Sequence, residues 1–96
     1  NKRRKGMFTL QLSRTAQKAL DKLPMTAVEK VFAHFEELKI DPYRPRPKAD
    51  IVSVGGSETL YRLRVGKLRV EYEVCCTENI IKIAKIFQKK RKSDYR

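Results

Sequence analysis

The sequence predicts an α+β domain: an N-terminal strand, a two-helix antiparallel hairpin, then three to four antiparallel strands. Three observations carry this. Phe8, Leu10 and Leu12 alternate with Thr9 and Gln11, the period of a strand with one buried face. Between residues 13 and 40 apolar residues recur at helical spacing, broken at Pro24. From residue 59 to residue 87 the alternation returns to a period of two. A chain of 96 residues leaves room for one compact domain and one modest core. Residues 1–6 are set apart as a basic N-terminal extension and residues 88–96 as a basic C-terminal tail.

Each element has a local reason. Ser13 can cap the first helix, because its hydroxyl accepts an otherwise orphaned backbone N–H. Ala16, Ala19, Leu20 and Leu23 form the apolar face of that helix, and Pro24 stops it. Thr26 and Glu29 stand three apart, the spacing of a capping box for the second helix. Its stripe is Val28, Val31, Phe32, Phe35 and Leu38, ending at "IDP". His34 falls roughly opposite that stripe with no readable catalytic partner and is assigned to the surface. The stretch "DPYRPRPKAD", residues 41–50, holds three of the four prolines and reads as an extended linker. "IVSV" is a short strand and "GGSET" a loop. Residues 59–65 and 68–76 pair about a turn near Gly66–Lys67, and "TEN" leads into a strand over 80–87. That strand places Ile81, Ile83 and Phe87 on one face and Ile80, Ala84 and Ile86 on the other, the pattern of a central strand covered on both sides.

Composition narrows the function classes. Lys and Arg number 23 against 11 acidic residues, a formal charge of +12, which implies a polyanionic partner. Charge that serves solubility alone is the alternative. No apolar run approaches the roughly 18 residues of a helical membrane span, and no apolar signal core follows "NKRRKG". Cys75 and Cys76 are adjacent, so on a strand they point to opposite faces. Without a second pair there is neither metal-ligand spacing nor a disulfide framework, and two reduced structural cysteines in an intracellular protein are expected. No metal and no cofactor is expected.

The cations concentrate in "YRLRVGKLRVEYEV", residues 61–74. If Tyr61, Leu63 and Val65 face the core, Arg62 and Arg64 project together from the other face, and a tight turn brings Arg69 near them. Glu71 and Glu73 offer ion-pair partners for Arg62 and Arg64. These two acids cannot neutralise the basic tail as well, so an anion site built from guanidinium groups is the preferred reading. Tyr61 and Tyr72 share their strands' apolar faces and are assigned to the core.

This hairpin, followed by a short turn, the apolar "IIKIAKIF" and a basic tail ending in Tyr95, resembles the RelE/ParE toxin superfamily. The resemblance runs over most of the chain and includes the "LDKLP" helix end. The pattern Y-R-L-R-V-G-x-x-R-V-x-Y-x-V is its specific part. A RelE-type resemblance implies the RelE-like fold and a cytoplasmic, metal-independent mRNA endonuclease that works in the ribosomal A site. The implied reaction is attack of a ribose 2′-OH on the adjacent phosphate, leaving a 5′-OH and a 2′,3′-cyclic phosphate. The implied partners are an acidic RelB-like antitoxin that folds on binding, the ribosome with its rRNA, and mRNA, with no membrane.

Position by position, the resemblance assigns Arg62 and Arg64 to two RNA-contacting positions, one in a base role. It assigns Arg69 to the group stabilising charge on the scissile phosphate. Lys89 takes a second phosphate-binding position, with Arg91 as its rival, and Tyr95 that of the tyrosine that stacks on or orients the substrate base and shares in proton transfer. Lys67, Lys90, Arg91 and Lys92 are further RNA-binding cations. Arginine stays protonated near neutrality, so Lys67 or Lys89 is the alternative proton acceptor, or the site acts by charge stabilisation and alignment. Little cleavage of free RNA is expected. A ParE-like inhibitor of DNA gyrase and a non-catalytic RNA- or antitoxin-binding protein are the competing functions. The basic hairpin together with the Lys89–Tyr95 tail favours the nuclease.

Overall fold

The computed structural model describes residues 7–88. They form β1 (Thr9–Leu12), α1 (Arg14–Asp21), α2 (Met25–Ile40), β2 (Asp50–Ser53), β3 (Leu60–Val65), β4 (Leu68–Cys75) and β5 (Ile80–Gln88). The strands make one five-stranded sheet in the order β1-β5-β4-β3-β2. From β2 to β5 every pairing is antiparallel. β1 joins parallel to β5, with Thr9 opposite Ile80 and Leu12 opposite Ile83. The α+β class and the element order match the sequence expectation, and "IVSV" contributes to β2, the fourth antiparallel strand.

Ser13 caps α1 as expected: its Oγ accepts the Ala16 amide at 3.0 Å and donates to the Ala84 carbonyl at 2.6 Å. The expected capping box on α2 does not form. Pro24, with φ −64°, is the N-cap and makes no side-chain cap bond. Its ring fixes a backbone angle suited to a helix start, so α2 begins at Met25 and Thr26 already lies inside the first turn. His34 sits half-buried on the flank of α2, its Nδ1–H donating to the Lys30 carbonyl at 2.9 Å.

Both helices cover one face of the sheet. Ala16 and Leu20 of α1, and Val31, Phe35 and Leu38 of α2, are buried against Leu63, Val65, Val70, Tyr72, Val74, Ile81 and Ile83. β5 is an interior strand, second in the order, and is covered on one face only, which corrects the expectation of a central strand covered on both sides. Glu71 pairs with Lys85 and Tyr72 with Ile83, so Ala84 is an extra residue in β5. A bulge of this kind reverses the alternation. Ile81, Ile83 and Ile86 therefore all lie in the core, while Lys82, Lys85 and Phe87 share the opposite face.

Residues 41–50 are not an extended linker. Arg46 folds them into a compact loop: its Nη1 donates to the Asp41 and Arg44 carbonyls at 2.9 and 2.6 Å, and its Nη2 to the Glu37 carbonyl at 2.7 Å. These bonds tie the loop to the last turn of α2, where the Glu37 carbonyl also accepts the Asp41 amide at 3.2 Å. Pro42 and Ala49 are buried, and the Tyr72 hydroxyl donates to the Pro42 carbonyl at 2.7 Å. Phe8, Tyr43, Tyr61 and Tyr72 continue this anchor as a chain of aromatic contacts 5.7 to 6.2 Å between centroids. Burial pushes the Tyr72 hydroxyl far above its ordinary pKa, so it remains a donor at any physiological pH.

Tyr72→Phe should destabilise the domain by about 1–3 kcal/mol, because it leaves the Pro42 carbonyl buried without a donor; thermal or urea unfolding measures this. Asp41 gives a pH dependence. Burial tends to raise its pKa, but the amides of Tyr43 and Arg44 and the Arg44 and Arg46 guanidiniums outweigh it and hold the carboxyl below the ordinary 3.8. A depressed folded-state pKa means stability present above 3.8 and lost as pH falls through the folded value. Unfolding curves across pH should show the gap between wild type and Asp41→Asn narrowing below pH 3.8.

Candidate nucleic-acid interface

The sheet face opposite the helices carries the cations. β3 and β4 meet at a two-residue turn in which Val65 pairs with Leu68 and Gly66 takes φ +59°. Positive φ at the first central position is the type II′ pattern and suits glycine. The resulting register sets Arg62 opposite Glu71 and Arg64 opposite Arg69. β2 adds Val52 beside Arg62 and Asp50 beside Arg64. β5 adds Lys85 beside Glu71 and Phe87 beside Arg69. Two rows thus cross the open face: Val52–Arg62–Glu71–Lys85 and Asp50–Arg64–Arg69–Phe87.

A groove of about 430 Å³ lies over these rows, lined by Asp50, Val52, Arg62, Arg64, Arg69 and Phe87. Two of its three arginines are ion-paired. Arg62 donates Nε and Nη2 to one oxygen of Glu71 at 3.2 and 2.7 Å, and Lys85 stands 3.8 Å from the other. Arg64 donates Nε and Nη2 to Oδ2 of Asp50 at 2.7 and 2.6 Å. The ion-pair alternative therefore holds for Arg62 with Glu71. For Arg64 the partner is Asp50 and not Glu73, which stands opposite Leu60. Arg69 differs: its Nη1 rests on the carbonyls of Gly66 and Leu68, both at 3.0 Å, and among the described residues it meets no carboxylate.

Energetics rank these groups. Exposed ion pairs are worth about 0–1 kcal/mol, and the Arg64 and Asp50 side chains are each about half exposed. Asp50 engages Arg64 through one oxygen, and a phosphate diester offers two for a bidentate pair, so exchange costs little. Arg64 and Arg69 stand directly opposite one another, an arrangement that repels unless an anion lies between or beside them. Asp50 supplies one such anion. A second would be accepted at Arg69.

The structure brings together Arg62, Arg64 and Arg69. It does not bring Lys67 to them: Lys67 lines a separate cavity of about 340 Å³ with Leu23, Pro24, Lys30 and Leu68, between the helix junction and the hairpin turn. Lys67 does not line the groove that holds the three arginines. Lys89, Lys90, Arg91, Lys92 and Tyr95 lie outside the described residues. Sequence reasoning missed Asp50 and Phe87. Asp50 reaches the site only through the β2–β3 register, which the intervening loop hides. Simple alternation groups Phe87 with Ile81 and Ile83, because it does not show the bulge. The opposite charges of Asp50 and Arg64, at the two ends of the β2–β3 unit, are the available signal.

The model of the ParE toxin family, from the parDE type II toxin–antitoxin system, matches residues 10–93. This chain belongs to the RelE/ParE toxin family. The toxin is 38% identical over 79 residues to the putative toxin RelE1 of Methanocaldococcus jannaschii, an alignment covering 82% of this chain and 87% of that one. Among solved structures, the RelE of the archaeal RelE–RelB complex from Pyrococcus horikoshii is similar at TM-score 0.78 and 30% identity, covering 88% of this chain and 98% of that one. The isolated Escherichia coli RelE toxin shares the fold at TM-score 0.75 and 18% identity, covering 92% and 90% of the two chains. The chain is thus the toxin of a type II toxin–antitoxin system, and its basic hairpin face is part of the toxin fold.

If the two carboxylates restrain the arginines, releasing them should strengthen anion binding. Asp50→Asn and Glu71→Gln should each raise affinity for a single-stranded oligonucleotide several-fold. The slope of log K against log salt should steepen by about 0.7 for each additional phosphate neutralised, measured by fluorescence anisotropy across a salt series.

Proposed function

We propose that this toxin cuts mRNA in the ribosomal A site, with the open-face groove holding the RNA backbone. The observation that carries the reading is Arg69, a guanidinium with no carboxylate partner among the described residues, standing opposite Arg64, whose half-exposed partner Asp50 is exchangeable, with Arg62 in the next row. The reaction draws its nucleophile from the RNA: the ribose 2′-OH attacks the adjacent phosphorus, and the bond from phosphorus to the 5′ oxygen of the next nucleotide breaks. The products are a 2′,3′-cyclic phosphate and a 5′-OH. Arg69 donates to the non-bridging oxygens as negative charge builds there. Arg62 and Arg64 hold the flanking phosphates and align the 2′-OH for in-line attack.

Arginine keeps its proton near neutrality, so these groups supply charge and alignment, not a base. Lys89 and Tyr95 complete the proposed site from the tail, with Lys90, Arg91 and Lys92 adding backbone contacts. A site without a strong base on the groove explains why the ribosome is needed to set substrate geometry. The reading places the toxin in the cytoplasm, where its substrate is.

The archaeal and E. coli relatives solved with RelB support a RelB-like antitoxin here. On this reading an acidic segment of the antitoxin binds in the groove. Arg62 and Arg64 already pair with carboxylates of this chain, and the same geometry receives those of a partner. The ParE family match keeps gyrase inhibition as the second reading.

In-vitro translation followed by primer extension separates the two. Codon-specific cuts in the A site, reduced roughly 100- to 1,000-fold by Arg69→Ala, are the expected result. Intact mRNA with blocked gyrase supercoiling would establish the second reading in its place.

A further inference from the structure

Phe87 is an aromatic ring on the polar face of a sheet. Its strand neighbours Ile81, Ile83 and Ile86 are buried, and the bulge at Ala84 turns Phe87 to the opposite side. There it lies in one row with Arg69 and Arg64, as part of the groove wall. β1 ends opposite Ile83, so no strand flanks Phe87 on its outer side among the described residues. The ring is half-buried, and the Lys85 ammonium stands 5.5 Å from its centroid. A core role does not explain this position, because the helices that form the core lie on the other face.

Adjacent strands are about 4.8 Å apart, which puts Phe87 one strand away from Arg69. A nucleotide presents the same pair of chemistries at similar separation: an anionic phosphate and a flat, polarisable base. Open sheet faces that combine aromatic rings with nearby cations are suited to single-stranded RNA, since every base has a face to stack. Lys85 over the ring adds a cation close to the stacked base and the backbone.

We propose that Phe87 is a nucleobase platform, stacking on the base of the nucleotide whose phosphate Arg69 holds. This rests on the RNA-cleaving reading above and adds a base contact from the sheet itself. Stacking accepts any base, so Phe87 contributes affinity and orientation without choosing the codon.

The test uses ribosomes carrying an mRNA whose A-site codon contains 2-aminopurine and a 2′-deoxy sugar at the cut position, so that binding is read without cleavage. Wild-type toxin should quench the fluorophore on binding. Phe87→Leu should lose most of that quench and bind roughly 5- to 100-fold more weakly, the range of one lost base–aromatic stack. Phe87→Trp should restore both, which separates stacking from packing, and circular dichroism checks that each variant is folded. Arg69→Ala distinguishes the two ideas. If Arg69→Ala weakens binding while Phe87→Leu binds and quenches as wild type does, the platform is overturned and the phosphate site stands. If neither variant, or not even the wild-type toxin, changes the signal, both readings fall.

Discussion

One extra residue in β5 governs how the molecule divides into a buried and an open side. Two short helices can cover only one face of the sheet. Strict alternation would place Ile86 outside with Lys82 and turn Lys85 and Phe87 inward. Burying an isoleucine is worth about 1.5–3 kcal/mol, whereas an unpaired lysine in the core costs several kcal/mol. The bulge at Ala84 resolves this by keeping all three isoleucines under the helices. Its carbonyl does not go unsatisfied. Ser13 donates its hydroxyl to Ala84 and its amide to Ile83, while the same hydroxyl caps α1. A helix start and a strand irregularity are thus secured by one residue.

The open face that results is electrostatically restrained. Five cations and three carboxylates stand in register across four strands, and the closest pairs are Arg62 with Glu71 and Arg64 with Asp50. A sheet with these arginines unpaired would carry repulsion between Arg64 and Arg69 with nothing beside them to offset it. The carboxylates lower that repulsion, and the half-exposed Arg64–Asp50 pair stays weak enough to exchange, while the Arg62–Glu71 pair is more buried. The free protein is stabilised by contacts that a phosphate or an acidic partner can replace. Arg69, held only by turn carbonyls, is the group that gains most from an incoming anion.

Much of this is readable from residue order. The alternation of 61–74, Gly66 at the turn, Ser13 before α1 and the Val31, Phe35 and Leu38 stripe of α2 follow from local rules and appear where those rules place them, whereas Phe32, expected in that stripe, is exposed. What escapes reading depends on contacts between distant residues. Asp50 meets Arg64 only because β2 pairs with β3 in a particular register. The proline-rich segment folds around Arg46 because that side chain finds the carbonyls at the end of α2, which composition cannot show. The bulge is invisible in a strand whose two apolar phases resemble double coverage. The cations of the hairpin are plain in the sequence, but the acids restraining them are only partly so.

The parallel pairing of β1 with β5 has a consequence for the order of assembly. Ser13 and Ala84 are 71 residues apart in sequence, yet their hydrogen bond joins the first helix to the last strand. The arginine hairpin closes over a two-residue turn and can form early, since its contacts are local. Among the described strands the β1–β5 pairing is the least local, and it waits on synthesis of β5. A chain still being made can therefore hold its arginines in register while its hydrophobic layer stays unsealed. Closure of the sheet waits on delivery of β5.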